Sequence, residues 1–222
     1  WGNQAAVLEG DFLFSKSLSL AVDTGSIPFI GTLTEATMQM SEGQILELVH
    51  TEDLKTTRDD YMDVITAKTA VLISAACGCG AIISGAGAEV ENNLTRFGRS
   101  VGIAFQMVDD LLDYTSSEAV FGKPVGKDLW EGKITLPLIY TLSQLDKDEK
   151  KRFSELFKNR TTDKDAYQNL LNRVRGSGVL ESIRSEAQRY VDDAAMCLKR
   201  FPDSAVKENL LTLIQYIIHR TY

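Results

Sequence analysis

The stretch from Thr69 to Ala88 contains no charged residue, and this restricts where a folded chain can place it. Its length is close to that of a membrane-spanning helix. Several glycines interrupt it, however, and it is rich in alanine, serine and cysteine rather than leucine. This composition favours a buried helix with close backbone packing over a transmembrane span. We therefore expect no transmembrane segment, and a buried helix that ends near Ser84 and Gly85.

Helical periodicity extends over nearly all of the remaining chain. Apolar residues recur at helical spacing, and no stretch alternates between apolar and polar residues as a half-buried strand does. We predict helices over 3–22, after Pro28, after a Thr57 cap, from about Glu91 into the acidic segment described below, with Pro137 in a first turn, and over 147–158, 163–174, 180–199 and 202–219. Gly43 lies inside the second helix, where it would allow a tight packing contact. A chain of 222 residues is long enough for one sizeable core, so we predict an all-α fold with a single domain over 1–222.

Composition and charge exclude several classes of protein. The net charge is −7 and no basic patch is visible, so we predict no nucleic-acid partner. An anionic small substrate would have to be held by local lysines and metal ions. The sparse cysteines, Cys77, Cys79 and Cys197, argue against a disulfide scaffold and fit a reducing compartment. The N-terminus lacks the pattern of a signal peptide, so we predict a cytoplasmic protein.

The segment 105–114, which reads FQMVDDLLDY, carries the strongest chemical signal. Helical spacing places Asp109, Asp110 and Asp113 on one side of a helix, together with Gln106. Clustered carboxylates that face a cavity resist ionising together unless a cation is present. Hard oxygen ligands without a His or Cys cluster suit Mg²⁺ better than Zn²⁺. We interpret the segment as a magnesium site for a phosphorylated substrate; the alternative is a solvated acidic helix end.

A second DDxxD pattern is formed by Asp59, Asp60 and Asp63. Thr57 precedes Asp60 at the spacing of a capping box, and the helix dipole favours acidic residues in a first turn. We interpret these aspartates as a helix cap rather than a second metal site.

Lysines occur where they could meet a phosphate. Lys68 directly precedes the uncharged stretch; alternatively, its ammonium extends to the surface. The loop from Ser116 to Asp128 supplies Lys123 and Lys127, and Lys133 follows it. Positive side chains together with metal ions are what a diphosphate leaving group needs. Taken singly, each lysine also fits a solvated surface position.

Several motifs together resemble the trans-type polyprenyl diphosphate synthases. In chain order they read WGNQAAVLEGDFLF, MSEGQILEL, AKTA, FQMVDDLLDY, FGKPVGKDL and EGKITLPLI. The resemblance extends from Trp1 to the C-terminus and is strongest between Tyr61 and Tyr140. The pattern GKPVGKDL followed by TLP is similar to longer-chain bacterial synthases of the octaprenyl type. The resemblance implies an isoprenoid-synthase-type helical bundle around a central cavity, which works as a homodimer.

The resemblance also implies a reaction, a prenyl transfer. Isopentenyl diphosphate condenses with an allylic prenyl diphosphate, and the cofactor is Mg²⁺. The lipid product could bring the enzyme to the membrane surface. By the same resemblance the metal ligands are Asp109, Asp110 and Asp113, with the first two as the direct or water-mediated ligands. The allylic diphosphate is bound by Lys68, Thr69, Gln106, Lys123 and Lys133, and the catalytic residues are Lys68, Lys123 and Asp109.

The chain departs from the family pattern in one respect. The family's first DDxxD and its isopentenyl diphosphate site precede the WGN segment, with which this chain begins. We therefore expect an N-terminally truncated synthase domain that binds Mg²⁺ and diphosphate weakly and does not complete a turnover. The alternatives are a terpene synthase-like enzyme, a non-catalytic or regulatory subunit of a heteromeric synthase, and a purely structural helical protein.

Overall fold

The computed structural model describes residues 1–115, 126–158 and 164–220, and every regular element in these ranges is helical. The helices are α1 (Asn3–Asp23), α2 (Ile27–His50), α3 (Arg58–Ile65), α4 (Val71–Ile83), α5 (Ala88–Thr115), α6 (Lys127–Trp130), α7 (Leu136–Gln144), α8 (Lys147–Lys158), α9 (Lys164–Gly176), α10 (Val179–Leu198) and α11 (Ala205–His219). A π-helical turn, Thr66–Ala70, joins α3 to α4. The prediction of an all-α fold is confirmed.

Helix α5 is the central element of the bundle. It packs against α4 on one side and α10 on the other. Its buried side chains, among them Phe97, Met107 and Tyr114, form the main hydrophobic core with residues of α10 and α11. A smaller cluster around Leu129 and Leu170 joins α6, α7 and α9. The acidic segment therefore lies on the C-terminal half of a helix that the core holds from several sides.

Close packing of α4 against α5 depends on small residues. The buried face of α4 consists of Ser74, Ala75, Gly78, Cys79 and Ala81. The helix ends at Ile83, Ser84 is its C-cap, and Gly85 has a φ of 68°, which an L side chain rarely adopts. The predicted helix end and close packing are both confirmed.

The helical stretch Arg58–Ile83 has the length and composition of a membrane span. Of its most apolar 18 residues, 39% are buried in the fold. The core helix of a soluble protein meets the same criteria. In this fold the stretch contacts α2 and α5. The buried part of the stretch therefore packs inside the bundle.

The N-terminus of α3 confirms the cap interpretation of the second acidic pattern. The hydroxyl of Thr57 accepts a hydrogen bond from the backbone N–H of Asp60, whose carboxylate accepts one from the backbone N–H of Thr57 at 2.8 Å. The Thr57 hydroxyl also donates to this carboxylate at 2.7 Å. The hydrogen bonds that the carboxylate accepts, first from the Thr57 hydroxyl and then from the Thr57 backbone, lower the pKa of Asp60. Asp59 is almost fully exposed and pairs with Arg58.

Two features of the ends of the chain differ from a simple amphipathic pattern. Helix α11 begins at Ala205 with Ser204 as its N-cap, so the prediction that Pro202 starts this helix was wrong. The Ser204 hydroxyl accepts a hydrogen bond from the Lys207 backbone N–H, which fixes the start of α11 at this position.

Near the N-terminus, α1 and α2 carry many exposed apolar side chains: Val7, Leu8, Phe12, Leu13, Phe14, Leu20, Ile45, Leu48 and Val49.

Candidate active site

A cavity of about 260 Å³ lies between α2, α3, the π-helical turn, α5 and the segment that precedes α7. Its lining is dominated by polar and charged side chains. Those that face it include Glu47, Tyr61, Lys68, Thr69, Gln106, Asp109, Asp110, Asp128 and Lys133. Six of the residues that the sequence singled out as binding groups therefore line one cavity.

The π-helical turn determines how Lys68 and Thr69 face this cavity. The two residues follow one another within the turn, and both line the cavity. Single turns of π-helix are rare and occur frequently at functional sites. Gly43 of α2 lies directly against the turn, because a Cβ there would be 2.6 Å from the backbone nitrogen of Lys68. The tight contact predicted for Gly43 is confirmed, and it brings α2 next to the cavity.

Lys68 forms an ion pair across this contact. Its Nζ donates to Oε2 of Glu47 at 2.6 Å, and both side chains are partly buried. Glu47 lies one helical turn after Gly43, so it shares the face of α2 that approaches the turn. Lys68 therefore projects into the cavity rather than extending to bulk solvent.

A chain of hydrogen bonds connects the turn to α5 and α3. The hydroxyl of Thr69 donates to Oε1 of Gln106 at 2.9 Å, and the amide of Gln106 donates to Oδ1 of Asp110 at 2.8 Å. The phenol of Tyr61 donates to Oδ2 of Asp110 at 2.7 Å. Both oxygens of Asp110 are thus occupied by protein donors.

Burial has a large effect on Asp110. Removal from water, together with the charges of Asp128 and Asp109, raises the pKa of Asp110 to about 7, although the hydrogen bonds from Tyr61 and Gln106 act in the opposite direction. This agrees with the expectation that neighbouring carboxylates resist ionising together when no cation is present.

Asp109 differs from Asp110 because its side chain is half exposed. Its Oδ1 lies 3.2 Å from Nη2 of Arg220, which also donates to the backbone oxygen of Phe105 at 3.1 Å. The guanidinium stacks 4.2 Å above the centre of the Phe105 ring. Arg220 follows α11 directly, so the end of that helix is held against the acidic segment.

The structure does not bring Asp113 to the cavity lining. Its two carboxylate oxygens accept hydrogen bonds from the backbone N–H groups of Lys127 and Asp128, at 3.0 and 3.1 Å. Burial raises the pKa of Asp113 to about 6, with Asp128 as the second cause. The carboxylate therefore holds the start of α6 beside α5. Its predicted role as a metal ligand stays a prediction.

The lysines after the acidic segment are distributed differently. Lys133 lines the cavity and pairs with Asp128 and Glu131, each at 2.9 Å. Lys127 is half exposed and pairs with Glu131. Lys123 lies outside the residues that the structure describes.

The donor chemistry of the cavity fits a hard divalent cation. Carboxylates of Asp109, Asp110 and Asp128 line it, and Mg²⁺ takes oxygen ligands. No group of three or more His, Cys, Asp or Glu side chains close enough to share an ion occurs within residues 1–115, 126–158 and 164–220. Mg²⁺ commonly keeps several waters and binds one or two carboxylates plus substrate phosphates. Among these three, Asp109 is the most exposed.

Three residues at this site received no role from the sequence. Tyr61 and Arg220 act across separations of 49 and 111 residues, and no local pattern indicates such contacts. Glu47 is different, since it follows Gly43 by one turn within a segment already recognised as closely packed. That spacing was a usable signal for a side chain at the same contact.

Comparisons with known proteins match most or all of the chain. A family model described as Polyprenyl synthetase matches residues 1–174. The chain is 34% identical over 220 residues to octaprenyl diphosphate synthase of Escherichia coli, which covers 99% of this chain and 68% of that protein. It is 31% identical over 222 residues to heptaprenyl diphosphate synthase component 2 of Geobacillus stearothermophilus. This match covers 100% of this chain and 68% of that protein.

A solved structure resembles the fold closely. The polyprenyl synthase of Caulobacter crescentus, complexed with calcium and isoprenyl diphosphate, has a TM-score of 0.94 and 32% identity. The match covers 100% of this chain and 68% of that one. The chain thus spans about two thirds of the length of these relatives.

Proposed function

The chain belongs to the polyprenyl synthetase family, whose enzymes condense isopentenyl diphosphate with allylic prenyl diphosphates, and from this premise we propose that its polar cavity binds the allylic diphosphate together with Mg²⁺. The observation that carries the proposal is the convergence of Lys68, Thr69, Gln106 and Asp109 on one cavity. These residues come from two separate helical segments, and only the fold brings a cation, hydrogen-bonding groups and a carboxylate together.

Each side chain has a distinct part in the proposed site. Lys68 supplies a positive charge to the diphosphate, and Lys133, which lines the same cavity, supplies another. Asp109, with one oxygen held by Arg220, is the ligand for the cation. A divalent cation bound there would withdraw charge from the diphosphate as its bond to the allylic carbon breaks. The hydrogen bonds of Gln106 and Asp110 hold this wall of the cavity in place, and their predicted parts in binding the diphosphate and the metal stay predictions.

Binding of pyrophosphate in the presence of Mg²⁺ tests the proposal. We expect isothermal titration calorimetry to detect binding by the wild-type chain, and Asp109→Ala to weaken it roughly tenfold or more, as losses at metal sites commonly do. Asp59→Ala is the matched control, because it removes an aspartate from the other DDxxD pattern. Absence of heat with the wild type, or equal affinities of the Asp109 and Asp59 variants, would contradict the proposed site.

We also propose that the chain forms a homodimer in the cytoplasm through the exposed apolar side chains of α1 and α2. Leu8 and Phe12 lie one turn apart on α1, and each is about two thirds exposed, at 68% and 67%. Burial of such surface is favourable and drives association. The name of the Geobacillus relative, a component 2, makes a heteromeric assembly the competing arrangement.

Sedimentation equilibrium decides between these arrangements. We expect the wild-type chain to sediment at twice the mass of one chain. The double variant Leu8→Glu, Phe12→Glu is expected to sediment at the monomer mass, because burying two carboxylates at an interface costs free energy. Thermal unfolding of the double variant checks that the bundle is intact. A monomeric wild type at micromolar concentration would rule out the homodimer.

A further inference from the structure

A second concave surface lies on the far side of the loop between α2 and α3. It encloses about 510 Å³ between residues 54–56, α7 and α8. Thr56 lines both this groove and the polar cavity, and no other residue is shared by the two linings. The groove is therefore a neighbour of the candidate active site and not a part of it.

The rim of this groove is basic although the chain as a whole is acidic, at a net charge of −7. Lys55, Lys147, Lys150 and Lys151 line it, and its lining contains no aspartate or glutamate. All four lysines are exposed. Within the part of the chain that the structure describes, none of the four forms an ion pair with a carboxylate. Their charges are available to an anionic ligand.

The orientation of α8 explains how these lysines come to one side. Lys147, Lys150 and Lys151 share one helical face because they are three and four residues apart. Phe153 packs into the smaller hydrophobic cluster, and Glu149 pairs with Arg173 of α9 at 3.7 Å. The apolar and acidic contacts of α8 are thus made by residues that do not line the groove, which keeps its lysine face toward the groove.

The floor of the groove is apolar. Leu54, Ile139 and Leu142 lie beneath the lysines, and the first two pack against the smaller hydrophobic cluster, of which Leu142 is a member. An inorganic anion would use only the rim. A ligand with a charged head and a hydrocarbon chain would use the rim and the floor together.

We propose that this groove is a second binding site, for a single prenyl diphosphate molecule, and that it needs no metal ion. A diphosphate carries several negative charges, which the lysines can neutralise without a divalent cation. A volume of about 510 Å³ falls within the range of small-molecule sites, and the concave shape suits one chain rather than a flat bilayer. Hydrocarbon diphosphates are the substrates and products of this family, so a ligand of this chemistry is present wherever the enzyme works.

Binding of farnesyl diphosphate in the presence of EDTA tests the groove separately from the candidate active site, which depends on a cation. We expect calorimetry to show EDTA-resistant binding by the wild-type chain. The variant Lys147→Gln, Lys150→Gln, Lys151→Gln is expected to bind roughly tenfold more weakly or worse, because three charges that face the head group are lost. Pyrophosphate, which lacks the chain, is expected to bind more than about tenfold more weakly than farnesyl diphosphate, because it leaves the floor unused.

A matched variant controls for net charge. Lys16→Gln, Arg152→Gln, Lys199→Gln removes three exposed positive charges outside the groove, one of them on α8 itself. We expect it to change EDTA-resistant binding by less than about twofold, because none of the three residues lines the groove and salt screens exposed charges that do not contact the ligand. Thermal unfolding of both triple variants establishes that neither loses the fold.

Three results would overturn the inference. The first is an absence of EDTA-resistant binding, which leaves the Mg²⁺-dependent site untouched. The second is equal weakening by the two triple variants. The third is lysine-dependent binding to phosphatidylglycerol vesicles with none to free farnesyl diphosphate, which would make the groove a contact for a lipid surface.

Discussion

Replacement of Gly102 by alanine is expected to lower the free energy of unfolding by about 3 kcal/mol, at the upper end for overpacked cores. A Cβ at this position would lie 2.5 Å from Cα and 2.9 Å from Cβ of Ala70. Ala70 is fully buried at the end of the π-helical turn, so its backbone cannot move aside without disturbing that turn. We therefore expect the same variant to weaken Mg²⁺-dependent pyrophosphate binding. Urea unfolding followed by circular dichroism measures the first effect.

Gly80 provides a matched control for this variant. It lies within the neighbouring helix α4 and is exposed, and a Cβ there would meet nothing within 4 Å. Gly80→Ala is expected to raise the free energy of unfolding by about 0.5–1 kcal/mol, because alanine has the higher helix propensity. If both variants changed stability equally, close approach of the π-helical turn and α5 would not be the reason for Gly102.

Removal of the Tyr61 hydroxyl is expected to lower the free energy of unfolding by about 2 kcal/mol, the cost of leaving a buried polar group without its partner. In Tyr61→Phe the carboxyl of Asp110 would keep the donor from Gln106 and lose the one at 2.7 Å. The residue Asp110 is only 4% exposed, so water cannot readily replace the phenol. Urea unfolding at neutral pH is the measurement.

Tyr114→Phe separates this effect from the loss of any buried hydroxyl. Tyr114 is fully buried, but its hydroxyl lies 3.3 Å from that of Thr135, which is a neutral partner. We expect a loss of about 0.5–1 kcal/mol for this variant, typical of a neutral hydrogen bond. Addition of Asp110→Asn to each tyrosine variant completes the comparison. A coupling between Tyr61 and Asp110 no larger than that between Tyr114 and Asp110 would contradict the assigned role.

Much of the fold followed from local patterns. Helical periodicity predicted the all-α class, and the Thr57 cap, the helix end at Ser84 and the packing role of Gly43 are all present in the structure. Such features depend on interactions within a few residues or on residue size, and both can be read from a sequence. The segment starting at Pro202 was misjudged because Ser204, a better N-cap, lay two residues further on.

The acidic segment shows where local patterns stop being sufficient. Helical spacing alone predicted that Asp109, Asp110 and Asp113 lie on one side of α5. Their environments nevertheless differ: one is half exposed beside Arg220, one is buried beneath Tyr61, and one holds the start of α6. Burial and long-range partners decide which carboxylate is available to a cation, and helical spacing carries no information about either.

The amino-acid sequence by itself determined the helical class, the family, and the residue types available for binding a diphosphate and a cation. Only the tertiary structure decided the π-helical turn that places both Lys68 and Thr69 at the cavity, the pairing of Lys68 with Glu47, and the basic groove behind Thr56. The physical reason is the range of the interactions: caps and periodicity act within one or two helical turns, whereas these arrangements arise where α2, α5, α7 and α8 pack against segments distant in sequence.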